Sequence, residues 1–421
     1  MARRKTAPYG SWQSPITASL VAAGGVGLGQ VEIWGEDVYW MEGRPLEGGR
    51  YVVVRWSADG QVADMTPPGF NARTLVHEYG GGAYCVHGSA VYFSNFADQR
   101  LYRQDAGNEP RPITAEPELP AGARYADGRV TPDGRLLICV RERHTADHQV
   151  VNELVALPTD GSRAPGVVVS GNDFYAFPSI SPDGRHLAWT TWNHPQMPWD
   201  GAELWVADLA ADGSISHPRC VTGGTQESIF QPAWSPDGTL HFVSDRTGWW
   251  NLYCERGGAI VPLAPMEAEF GVPQWVFGLA TYAFLSDGRI ACIFNQDGVE
   301  HLGLIAPGTL RVEELDVPYT AFPRAYLRSN GRQLACIGAT PAEAPAVVTV
   351  DVATGASQVL RRSIAHQVDP GFVAQPRPIE FPTEGGQTAH ALFYPPANRN
   401  YAGPSKEWPP LLVMSHGGPT S

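Results

Sequence analysis

Lysine is almost missing from this 421-residue chain: Lys5 and Lys406 are its two examples, and arginine supplies the rest of the basic charge. Beyond Arg3-Arg4-Lys5 there is no basic cluster, and the formal net charge is −13. The dense positive stripe that neutralises phosphates is absent, so nucleic acid is not an expected partner. Long apolar runs are absent too, which excludes a helical membrane span as the expected reading. Arg3 and Arg4 precede a weakly apolar stretch over 16–28, but Gly24, Gly25 and Gly27 interrupt it. It also lies too far from the basic residues to read as an export signal. The six cysteines are widely spaced and mostly lie inside apolar runs such as Leu136-Leu137-Ile138-Cys139-Val140. They read as small core residues rather than as disulfides or metal ligands, which fits a reducing cytoplasm and calls for no metal or cofactor.

What is present points to β structure. Glycine (46) and proline (37) are frequent, Trp, Tyr and Phe are plentiful, and charged residues make up 17% of the chain. That mixture belongs to many short strands joined by tight turns, not to a disordered chain. One turn recurs, as Thr131-Pro132-Asp133-Gly134, Ser181-Pro182-Asp183-Gly184 and Ser235-Pro236-Asp237-Gly238. Weaker copies are Ser286-Asp287-Gly288 and Ser329-Asn330-Gly331, and more distant ones are His87-Gly88-Ser89 and Gly35-Glu36-Asp37. Proline presets φ, Asp or Asn bonds its own backbone, and glycine takes the positive φ that returns the chain, so one strand must precede each turn and another follow. The following segments alternate as half-buried strands do, as in Arg185-His186-Leu187-Ala188-Trp189-Thr190.

Further strands follow each pair, giving four strands per unit at a spacing of roughly 45 to 55 residues, the grammar of propeller blades. Seven copies predict an all-β, seven-bladed β-propeller over about 20–365, with closure of the ring burying both faces of every blade. After His366 the repeat stops, and Asp369-Pro370-Gly371 with Gln375-Pro376-Arg377-Pro378 reads as a linker. The expected division is therefore a propeller domain over 1–368 and a second, different unit over 369–421.

In that second unit, strands are expected around Ile379-Glu380-Phe381 and His390-Ala391-Leu392-Phe393-Tyr394, either side of a Glu384-Gly385-Gly386 turn. The chain closes on Pro409-Pro410-Leu411-Leu412-Val413-Met414-Ser415-His416-Gly417-Gly418-Pro419. An apolar run bounded by turn residues suits a buried strand of a mostly parallel sheet. The two glycines after it suit an oxyanion hole, where a backbone N–H must face the charge that develops in acyl transfer. This resembles the His-Gly-Gly loop of α/β-hydrolases, in which the Ser, Asp and His of the triad come later in the chain. No Gly-x-Ser-x-Gly elbow occurs; Gly355-Ala356-Ser357-Gln358-Val359 comes nearest and lacks the second glycine. The expectation is a hydrolase domain truncated after its oxyanion-hole motif, with no activity of its own.

The chain as a whole resembles the prolyl-oligopeptidase family of serine peptidases, most of all its acylaminoacyl-peptidase and dipeptidyl-peptidase-like branch. The matching stretches are Val76-His77-Glu78-Tyr79-Gly80-Gly81-Gly82, Pro198-Trp199-Asp200-Gly201, Ser235-Pro236-Asp237-Gly238 with Val243-Ser244-Asp245-Arg246-Thr247-Gly248-Trp249-Trp250-Asn251, and His416-Gly417-Gly418-Pro419. The resemblance implies a peptidase in which a propeller covers the active site and admits short peptides while excluding folded proteins. It implies Gly418 as the oxyanion-hole N–H donor, with Gly417 and His416 shaping the loop. The partners implied are short peptide substrates and the remainder of the hydrolase domain, with homo-oligomerisation left open.

Alignment on the turn glycines puts Asp173 and Glu227 in the same register, each leading into a blade's first strand. They are candidates to face the substrate path and hold a peptide's amino group, set against a reading as solvated loop acids. The dipeptidyl branch holds that amino group with paired glutamates, and Glu313-Glu314 lies in an ordinary strand-like stretch that does not match. His144, Asp147 and His148 have helical metal-ligand spacing in surroundings that read as strand and loop. Trp249-Trp250 reads as packing between blades or as a peptide-binding surface. Two other classes stay open: a stand-alone propeller serving as an interaction module, and a metal-dependent enzyme working within the propeller's own channel.

Overall fold

A computed structural model describes residues 4–22, 24–366 and 368–415. Among them seven four-stranded antiparallel sheets form, each with its strands in sequence order. These are the blades: 27–64, 84–112, 123–169, 174–223, 229–262, 282–314 and 328–362. All seven recurring turns fall between the first and second strands of a blade, and their glycines, Gly35, Gly88, Gly134, Gly184, Gly238, Gly288 and Gly331, all have positive φ. In the fullest copies the turn is locked from within, since the Ser181 hydroxyl donates to Asp183 at 2.6 Å and the Arg185 N–H donates to the same carboxylate at 3.1 Å. Second strands carry the core, as in Leu136–His144, while outer strands such as Ser357–Arg362 are largely exposed.

The first strands line the axis, and four of them are kinked alike. Register shifts fall between Gly29 and Glu32, Ala126 and Arg129, Ala176 and Ser179, and Phe230 and Ala233. At each bulge a residue other than glycine, Gln30, Asp127, Phe177 or Gln231, takes positive φ. In three cases the bulged side chain hydrogen-bonds the next blade's backbone. Gln30 accepts from Ala83 N at 3.0 Å, Asp127 from Phe177 N at 2.7 Å, and Gln231 from Thr281 N at 2.6 Å. Tyr84 and Tyr282 return the link by donating their hydroxyls to the Gln30 and Gln231 carbonyls at 2.6 and 2.7 Å. Phe177 instead packs on Phe230 of the next blade, with ring centroids 5.2 Å apart.

Among the described residues no blade borrows a strand from the other end of the chain, and the last and first blades meet mainly through side chains. Arg328 donates two hydrogen bonds to Glu32, at 2.9 and 3.0 Å, and Arg361 lies 2.7 Å from the buried Glu42 carboxylate. Asn330 donates to the Gly35 carbonyl at 3.0 Å, and Val26 N donates to Ser363 O at 2.8 Å. Burial pushes the Glu32 carboxyl up, but the charge and hydrogen bonds of Arg328 outweigh it and hold the group below the usual carboxylate range.

After the ring, Arg377–Pro382 and Thr388–Phe393 form the expected hairpin, pairing Glu380 with His390. The expected strand over 409–414 does not form: 408–415 carry no strand hydrogen bonds, and Leu411, Leu412, Val413 and Met414 are exposed. A strand needs a neighbour to bond to, and among the described residues none lies beside it. The N-terminal arm pairs away from the ring, with Lys5 and Thr6 parallel to Tyr401 and Ala402. Trp12 stacks on Tyr401 at 6.4 Å, and Asn398 donates to the Gln13 carbonyl at 2.9 Å.

Replacing Arg328 with Met leaves the Glu32 charge recessed and unpaired at the seam. The expected loss is about 3 kcal/mol in urea unfolding at neutral pH, with recovery in the Glu32→Leu, Arg328→Met double variant. Because Glu32 is held below its unfolded pKa, the pair's contribution is present at neutral pH and disappears as pH falls through the carboxylate range. The single variant should lose little further stability there.

Candidate functional site

Strand direction sorts the loops into two faces. The recurring turns lie on one; the connections between blades and between second and third strands lie on the other. The chain also enters the ring at Gly27–Trp34 and leaves it at Ser357–Arg362 on that second face, so the hairpin and the run toward His416 depart from there.

On this face the axis is closed. The connection into the second blade, 72–83, meets the connection into the sixth, 264–281, although three steps around the ring separate those blades. Phe277 N donates to the Gly80 carbonyl at 2.9 Å, and Gly81 and Phe277 form a parallel β-bridge. Asp127 N, from the third blade, donates to Gly82 O at 2.8 Å. Glycine is required here: a Cβ on Gly81 would stand 2.5 Å from Phe277 O, and one on Gly82 would stand 2.8 Å from Phe277 Cβ. Both have positive φ, 85° and 54°.

His77 anchors the same loop. Its ring packs against Phe174, Trp192 and Phe277 at 5.1, 6.1 and 4.9 Å, while its backbone N–H donates to Glu142 at 2.8 Å. Nε2 is buried without a hydrogen-bond partner, and burial drives the imidazole pKa down to about 4, opposed in part by Glu142. Above the loop crossing, Tyr79, Trp275 and Trp199 come from three different connections, with Tyr79 at 5.4 Å and Trp199 at 4.6 Å from Trp275. The plug separates two cavities. One, of about 650 Å³, opens toward the recurring turns beside Arg129, Ser179 and Arg328. The other, of about 820 Å³, opens on the second face beside Tyr79, Trp275, Arg73 and Arg324, and Leu279 borders both.

Asp173 and Glu227 lie on the second face, just before Phe174–Ile180 and Ile229–Trp234. Asp173 is exposed and accepts from His194 N at 2.9 Å. The Glu227 carboxylate is already occupied, by Arg246 at 2.7 Å and the Ser244 hydroxyl at 2.6 Å. Glu313 and Glu314 lie on the outer strand Val312–Glu314, where Glu314 is 3.3 Å from His301. His144 is bound to Glu142 at 2.7 Å, and among the described residues no three His, Cys, Asp or Glu side chains converge on a metal site. Trp250 packs face-on over Gly271, whose Cβ would stand 2.9 Å from the indole, while Trp249 is partly exposed. His416, Gly417 and Gly418 lie outside the described residues. The arginines of the larger cavity escaped the sequence reading because no local pattern marks a side chain that acts only where three loops converge.

No protein-family model matches the chain, and no curated protein does. Among solved structures, a puromycin-hydrolysing peptidase of Mycobacterium tuberculosis matches with TM-score 0.90 and 40% identity, over 97% of this chain and 64% of that one. A puromycin hydrolase matches with TM-score 0.90 and 36% identity, over 99% and 65%. Prolyl oligopeptidase B of Galerina marginata shares the fold, with TM-score 0.63 and 12% identity over 87% and 55%. The chain is similar over nearly its whole length to puromycin-hydrolysing peptidases, and it shares its propeller fold with prolyl oligopeptidases. It spans a little under two thirds of the two puromycin-hydrolysing relatives. Within this propeller, the His-Glu-Tyr-Gly-Gly-Gly stretch that supported the resemblance is the axial plug.

Two outcomes check the plug. Gly81→Ala should lower the urea unfolding free energy by about 3 kcal/mol, because a Cβ is forced against Phe277 backbone at positive φ. His77 stays neutral when folded and takes up a proton when unfolded, so its contribution is full above pH 6.5 and declines as pH falls toward 4. Unfolding free energies measured at pH 7 and pH 5 should therefore differ by about 2 kcal/mol less in His77→Gln than in the parent.

Proposed function

We propose that the chain is the propeller of a serine-type peptidase that hydrolyses short peptides and aminoacyl amides, with substrates arriving across the plugged face rather than down the ring's axis. The observation carrying this reading is the 40% identity with a puromycin-hydrolysing peptidase across 97% of the chain. In this reading Gly418 supplies an oxyanion-hole N–H, Gly417 and His416 shape its loop, and the exposed apolar run Leu411-Leu412-Val413-Met414 becomes a strand once a hydrolase sheet stands beside it. Acyl transfer then needs a serine nucleophile, a histidine to move its proton and an acid to orient that histidine. The chain alone, without a nucleophile elbow, is expected to be inactive. Five buried, unpaired cysteines support a reducing, cytoplasmic setting.

The propeller's part is exclusion. The loop crossing fills the axis, so a folded protein on the turn side meets a cavity closed at its base, and the approach for substrates is across the face from which 363–415 departs.

The whole protein, including its hydrolase domain, should release the amine from an aminoacyl amide and be silenced by a serine-directed covalent inhibitor; turnover that resists the inhibitor would overturn the assignment. The route is read separately in a Cys220→Ser background, which removes the exposed cysteine found among the described residues. A bulky maleimide polymer on Ser179→Cys, in the turn-side cavity, should leave kcat/KM unchanged, whereas the same label on Glu78→Cys should depress it. The reverse pattern would establish an axial route.

A further inference from the structure

The larger cavity, of about 820 Å³, is bordered by two arginines whose charge no carboxylate among the described residues neutralises. Nearby arginines are occupied: Arg124 lies 2.7 Å from Glu78 and 3.0 Å from Glu142, and Arg328 lies 2.9 Å from Glu32. Arg73 and Arg324 have no carboxylate partner among the described residues, in a chain with 43 acidic and 30 basic residues. Acids are abundant enough to pair them, so the lack of a partner is a property of this place.

Both side chains are held by their surroundings. The Arg73 guanidinium lies 4.7 Å from the Phe96 ring centroid and 5.7 Å from that of Tyr51, which fixes its plane without neutralising its charge. Arg324 has φ 65° and is followed by Ala325 at 42°, two successive residues other than glycine in the left-handed region. That conformation is costly, and the Ala280 N–H to Ala325 O bond at 2.7 Å and the Leu327 N–H to Ala280 O bond at 2.8 Å hold it. Arg324 and the buried Tyr326 both border the cavity, and the charge and hydrogen bond of Arg324 oppose the rise that burial imposes on that phenol. The acid in the wall, Glu300, accepts from Phe322 N; burial raises its carboxyl and no arginine counters it. Tyr79 and Trp275 supply an aromatic wall on the plug side.

We propose that this cavity is a subsite for the free α-carboxylate of a short peptide substrate, with Arg73 and Arg324 receiving the carboxylate and the aromatic wall taking the adjoining apolar side chain. The proposal rests on the peptidase reading. Guanidinium groups suit a planar carboxylate because they donate two parallel hydrogen bonds. Their position on the face from which the chain leaves toward His416 would put the far end of a peptide in the cavity while its amino end reaches the acyl-transfer loop. Such a site would favour peptides a few residues long over longer chains, which place no carboxylate within reach.

The test compares a tripeptide with a free carboxylate against its C-terminal amide, using the whole protein. The parent should prefer the acid through KM, and Arg73→Gln, Arg324→Gln should reduce the acid-over-amide ratio of kcat/KM about tenfold, equivalent to about 1.4 kcal/mol. Arg73→Lys, Arg324→Lys should restore part of it. An acid-over-amide ratio that keeps its parental value in the glutamine variant overturns the subsite; if both rates fall together, the arginines hold another domain instead. Equilibrium binding of the two tripeptides gives a readout independent of turnover. If neither is cleaved but the acid binds more tightly and the arginine variant abolishes the difference, the subsite stands and the peptidase reading fails; equal binding of acid and amide overturns the subsite.

Discussion

On the axis of the ring, the backbone at Gly81 and Gly82 passes so close to Phe277 that no side chain fits between them, and Gly80 before them is pressed against the Thr74 carbonyl. Most of what distinguishes this propeller follows from that approach. It joins the connections into the second and sixth blades, draws the third blade in through Asp127 N, and closes a channel that a seven-bladed ring would otherwise leave open. It also fixes His77 against Phe174, Trp192 and Phe277, which keeps the imidazole neutral, and it raises Tyr79 and Trp275 into the wall of the larger cavity. The glycines are needed twice over, for positive φ and for room, so this is a backbone interaction that substitution cannot easily imitate.

The ring around the plug is assembled from short-range rules and closed by long-range charge. Each blade folds as an antiparallel meander from contiguous sequence, and the bulged residues Gln30, Asp127 and Gln231 carry one blade's polar side chain onto the next blade's backbone. The bulge makes this possible, because the extra residue turns its side chain sideways along the ring. Between the last and first blades the task passes to Arg328 with Glu32 and Arg361 with Glu42. The seam is therefore a charged join, and the lowered Glu32 carboxyl makes it sensitive to acid.

Local chemistry made the blades legible in the sequence. A turn such as Ser181-Pro182-Asp183-Gly184 closes on itself through hydrogen bonds two residues long, so even the degenerate copies at Gly35 and Gly88 announced real hairpins. Glu227 shows where that logic stops. Its register relative to Gly238 was visible, but its engagement by Arg246 and Ser244 depends on a fold in which those side chains curl back over it. The plug was visible only as a motif: the stretch from His77 to Gly82 carried the family resemblance, yet nothing local named Phe277, almost two hundred residues on, as its partner. Arg73 and Arg324 were invisible for the same reason. The run 411–414 was read as a strand on composition alone, and composition cannot supply the neighbour with which a strand must pair.

The pairing of Lys5 and Thr6 with Tyr401 and Ala402 sets an order on biosynthesis. The arm emerges from the ribosome ahead of the ring, yet its partner is translated only after all seven blades, so Lys5 and Thr6 must wait unpaired while each meander collapses in turn. Once Tyr401 arrives, Trp12 and Tyr9 fold around the departing tail. The two ends of the chain are then clasped together outside the ring, so prying the first and last blades apart would also mean unfastening that clasp. The propeller acquires in this way a second, late-forming latch, fitted only when translation has passed beyond the ring itself.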